Sequence, residues 1–92
     1  MRIEYGDNLQ YLRARLSSTL KKVRNGRDHE DVNAEFYISL GMIGAATTLG
    51  AIDIPASDRL HELALNASQQ RSKELHAIAH AARQAAKQRA AA

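Results

Sequence analysis

The sequence predicts an all-α protein: a three-helix arrangement with a central apolar second helix and a long third helix that partly protrudes. Three observations predict it. Apolar residues recur at helical spacing in two segments that flank a third. That third stretch, Phe36 to Leu49, carries no charge and is apolar or small on every side, the pattern of a helix that other elements surround. Gly26, Gly50 and Pro55 punctuate the chain between the segments.

Residues 1–6 read as a short extended lead-in. The first helix is expected from about Asp7 to Asn25. Asp7 offers an N-cap, with Gln10 at capping-box spacing. Leu9, Leu12, Leu16, Leu20 and Val23 form one stripe, and Arg13, Arg15, Lys21, Lys22 and Arg24 lie off it. Basic residues in the last turn suit the helix dipole, and Gly26 is the expected left-handed residue beyond it.

Arg27 to Asp31 reads as a loop, with Asp28 or Asp31 capping the second helix. That helix is expected from about Val32 to Leu49. Gly41, Gly44, Ala45 and Thr48 make a run of small residues along it. A mid-helix glycine costs about 1 kcal/mol against alanine, so two in four residues predict close approach of another backbone. Gly50 stops the helix. Ile52 and Ile54 are expected to plug the end of the core, and Pro55 or Ser57 to start the third helix.

The third helix has no clear stop. Pro55 to Ala92 is 38 residues, about 57 Å of helix, against about 29 Å for the first. Its neighbours can therefore cover only its first half. Yet Leu75, Ile78, Ala82 and Ala85 continue the apolar stripe. Either the helix breaks near 68–72 and folds back, or the stripe meets another chain. Residues 87–92 end in three alanines and are expected to fray. The whole of 1–92 reads as a single small helical domain.

The net charge of +3 is segregated. Residues 1–27 hold seven basic and two acidic residues, 28–62 one basic and seven acidic, and 63–92 five basic and one acidic. An acidic middle between basic arms allows self-complementarity. The basic faces also raise nucleic-acid or acidic-protein contacts through Lys73, Arg83, Lys87 and Arg89, with Arg13, Lys21 and Arg24 on the first helix. No aromatic stacking platform accompanies them.

The chain has no cysteine, so disulfide and thiolate-metal chemistry are excluded. No nucleophile–base pair or phosphate-binding glycine loop occurs, so the protein is not expected to be an enzyme, and no cofactor is implied. His76 and His80 are spaced i, i+4 and could bind a metal given a third ligand. They fall on the polar side with Lys73, Arg83 and Lys87, so a solvated face is expected and no metal. Phe36 to Ile52 is 17 uncharged residues, at the short end of the membrane-spanning range. A single span is a remote alternative, because burial in protein accounts for all three helices together.

The expected function is a non-catalytic protein–protein interaction module: a regulator, adaptor or inhibitor of phage or mobile-element type. A homodimer through Leu75, Ile78, Ala82 and Ala85 is expected, along with a protein partner. The N-terminus has no apolar signal run, and a cytoplasmic location is expected. The alternative is a nucleic-acid-binding protein using the first and third helices.

Overall fold

The computed structural model describes the backbone from Tyr5 to Ala92 and side chains from Gln10 onward. Three helices make up the described chain: α1 (Tyr5–Arg24), α2 (His29–Thr48) and α3 (Ile54–Ala91). The all-α, three-helix expectation holds, and each helix packs against the other two. α1 begins earlier than expected, which places Asp7 inside its first turns rather than at a cap. The contributions of the Asp7 and Leu9 side chains lie outside the described residues.

Local chemistry sets the other ends. The Asp28 carboxylate accepts from the Asp31 amide at 2.8 Å and caps α2. Asp31, the other candidate cap, instead receives the Arg27 Nε at 3.0 Å. Gly50 sits at φ +73°, and the amides of Gly50 and Ala51 return to the carbonyls of Thr47 and Ala46. That is a Schellman closure, which requires a residue without a Cβ penalty. Asp53 caps α3 through the Ala56 amide at 2.8 Å, with Pro55 in the first turn. Ser57, a candidate cap by sequence, is buried one turn further on.

The core is small. Among the described residues, Leu16 and Val23 of α1, Val32, Ile43 and Ala46 of α2, and Ala64 of α3 are the buried apolar ones. Thr19 and Ser39 are buried with their hydroxyls donated to the carbonyls four residues back, Arg15 and Glu35. Thr19 also meets the Met42 sulfur at 3.4 Å, across the α1–α2 contact. No buried polar side-chain atom lacks a partner among the described residues.

Four expectations are corrected here. α2 is not surrounded. Ile43 is 0% exposed, but Tyr37 is 69% and Ile38 49% exposed on the opposite arc. In a triangle of three helices, each can bury only the arc that faces the other two. The small-residue run lies on the open arc: a Cβ built on Gly41 or Gly44 would meet nothing within 4 Å. These glycines permit no close approach within the chain. Gly26 is also not a left-handed cap. Its φ is not positive, and its lack of a side chain is steric, because a Cβ there would fall 2.5 Å from the Val32 Cγ2. Similarly, Ile52 is half-buried at the end of the bundle, while Ile54 points out and is exposed.

α3 is continuous through 68–72, so the fold-back alternative is not realised. Helical geometry runs to Ala91 through the tail expected to fray, in keeping with alanine's high helix propensity. The chain measures 71 × 26 × 14 Å, with a radius of gyration of 18.2 Å. A compact chain of this length would have about 12 Å.

Candidate protein interface

α3 leaves the bundle at Leu75. A polar clasp marks the place. Arg71 Nε donates to the Gly26 carbonyl at 2.7 Å, tying α3 to the α1–α2 loop across 45 residues of sequence. Arg71 Nη1 also meets Glu74 at 2.9 Å, and the second Glu74 oxygen receives Arg24 from the end of α1. Arg24 and then Arg71, both donating to it, hold the Glu74 carboxyl below the usual glutamate range. Beside the clasp the rings of His29 and His76 meet edge-on, with centroids 5.5 Å apart.

In the sequence Arg71 stands at helical spacing between Ala64 and Leu75, where it interrupts the apolar stripe of α3. Its register is the signal that explains it, because a cation on the inward face must reach a buried acceptor. His29, 47 residues away in sequence, comes to His76. No group of three metal-ligating side chains forms among the described residues.

Beyond the clasp, every residue from His76 to Ala92 is exposed. The four expected interface residues grade outward. Leu75 is half-buried against the bundle, Ile78 is 59% exposed, and Ala82 and Ala85 are exposed. Their spacing of three, four and three residues keeps them on one side of the helix. Lys73, His76, His80, Arg83 and Lys87 follow the same alternation on the opposite side. Arg89 falls on the apolar side, at the end of the seam. The cations of α1 are elsewhere: Arg24 is engaged by Glu74, while Arg13 and Lys21 border a groove between α1 and α3. The seven candidate cations therefore do not form one surface.

The surface area fits an uncovered element. The chain exposes 6942 Å², where a compact protein of its mass exposes about 5,300 Å². The excess is about 1,600 Å², and a standard interface takes about 800 Å² from each partner. No helix among the described residues is long and apolar enough to cross a membrane. Comparison with known protein families, characterised proteins and solved structures finds no match to this chain.

Proposed function

We propose that the chain is a non-catalytic protein–protein interaction module, a cytoplasmic regulator, adaptor or inhibitor, that self-associates through the outer half of α3. One observation carries this reading: an apolar seam of Leu75, Ile78, Ala82 and Ala85 runs onto the outer half of α3, which no described residue covers. Exposed apolar seams on soluble helices are interaction surfaces. A second copy is the simplest cover, related by a two-fold axis. Alanines let the two helices approach closely, and Arg89 at the end of the seam favours an antiparallel or crossing pair over a parallel one. The small core supports the reading, since association adds the burial a single chain lacks.

Light scattering tests it. The wild type should run as a dimer at high micromolar concentration, and Leu75→Asp with Ile78→Asp should give a folded monomer. A wild-type monomer overturns self-association.

The second reading is nucleic-acid binding, favoured by the exposed row of Lys73, Arg83 and Lys87 on the face opposite the seam. A gel shift on random duplex that weakens with salt would support it. Unchanged mobility at low salt would remove it.

A further inference from the structure

A groove of about 650 Å³ opens between α1 and α3, with its lining drawn from those helices and the connector between α2 and α3. Leu20, Ala56 and Leu60 are half-buried along it, and Leu63 stands 57% exposed on its α3 wall. Arg13, Lys21 and Arg24 stand along its α1 wall. Among the described residues, neither Arg13 nor Lys21 has an acidic partner within ion-pair distance. No acid occurs in the sequence from Asn8 to Gly26.

We propose that this groove docks an acidic amphipathic helix of about three turns, carried by a different protein. The length follows from the walls: residues 13–24 and 56–67 each span about 17 Å of helix. A helix laid there would place apolar residues at i, i+4 and i+7 against the leucines, the recognition mode of helix-in-groove complexes. Its flanking carboxylates would meet Arg13 and Lys21. Charge also selects against the outer helix of a second copy. The free helix that another copy offers, residues 76–92, carries Arg83, Lys87 and Arg89 and no acid, so it would be repelled by the same wall. The groove is separate from the α3 seam. This inference rests on the reading of the chain as an interaction module, not on its self-association.

The test is fluorescence anisotropy with a labelled synthetic helix of about fourteen residues. It carries leucines on one face and glutamates elsewhere, and a lysine-for-glutamate counterpart serves as the control. The acidic helix should bind the wild type at least about tenfold more tightly than its counterpart, and less tightly at high salt. Leu63→Asp should weaken binding by about tenfold or more. The pair Arg13→Glu and Lys21→Glu, both at exposed positions, should turn the preference toward the lysine helix. Circular dichroism confirms that each variant is folded. The Leu75→Asp, Ile78→Asp monomer should bind as the wild type does, which separates failure of the groove from failure of the dimer. Equal binding of both helices, no binding of the acidic one, or an unreversed preference overturns the proposal. So does a wild-type dimer that Leu63→Asp converts to monomer, because the groove would then be covered by a second copy.

Discussion

The inner and outer halves of α3 are one continuous helix with two different reasons to be helical. In residues 54–75, Ser57 and Ala64 are buried, and Arg71 is fastened to the α1–α2 loop. There packing selects the conformation. From His76 on no residue is covered, and nine of the seventeen residues are alanine. There intrinsic propensity does the selecting, because alanine loses no side-chain entropy in a helix. Helix continuity is thus no guide to where the tertiary structure ends. That boundary is the Arg71–Glu74 clasp.

The same substitution on either side of the clasp should separate the halves most widely. Ala64 is 0% exposed. Ala64→Leu overpacks the core and should destabilise by about 1–3 kcal/mol in a urea melt. Ala82→Leu, measured at a concentration low enough to keep the chain monomeric, should leave the midpoint unchanged. Equal losses would mean that the outer half is packed against something after all.

The clasp itself comes next. Arg71→Ala removes a charged donor from the Gly26 carbonyl and should destabilise by about 1–3 kcal/mol. Arg83→Ala should change nothing in the same urea melt. If the two behave alike, the clasp is a surface ion pair of negligible value, and the boundary lies elsewhere.

Acid gives the smallest effect. Arg24 and Arg71 depress the Glu74 carboxyl in the folded chain, so the unfolded chain binds more protons in acid. The stabilisation is fully present above the ordinary glutamate range and is lost as pH falls through the lower folded value. Melting temperature should therefore decline below about pH 5, and Glu74→Gln should flatten part of that decline. An unaltered pH profile in Glu74→Gln would show that the carboxylate contributes no linkage. Asp31, held down by Arg27, accounts for a separate part of the slope.

The three helices and most of their ends were legible because they rest on local signals: periodic leucines in α1, the Asp28 position, Gly50 and Pro55. The apolar composition of α2 reports only that its residues would prefer burial. Whether neighbours exist to bury Tyr37 and Ile38 depends on how many helices the chain makes, and three leave one arc open. The roles of Arg71 and Gly26 were illegible for a different reason. The two residues are 45 apart and meet only once α1 and α3 are both placed. The groove escaped sequence reading in the same way. Leu20 reads as an ordinary stripe residue until the spacing of α1 and α3 is known. The outer seam was legible in outline, since helix lengths alone predict that α3 outruns its neighbours.

The unsupported outer half also bears on how the chain would be degraded. Beyond His76, an alanine helix held by no described tertiary contact opens turn by turn, with a free energy far below that of the bundle. Arg83, Lys87 and Arg89 lie within it, so a protease that cuts after basic residues meets its sites in a segment that unfolds locally. Cleavage there tracks the local opening equilibrium and leaves the core intact. Pairing of the seam would close this route, which makes the lifetime of the outer half a function of protein concentration.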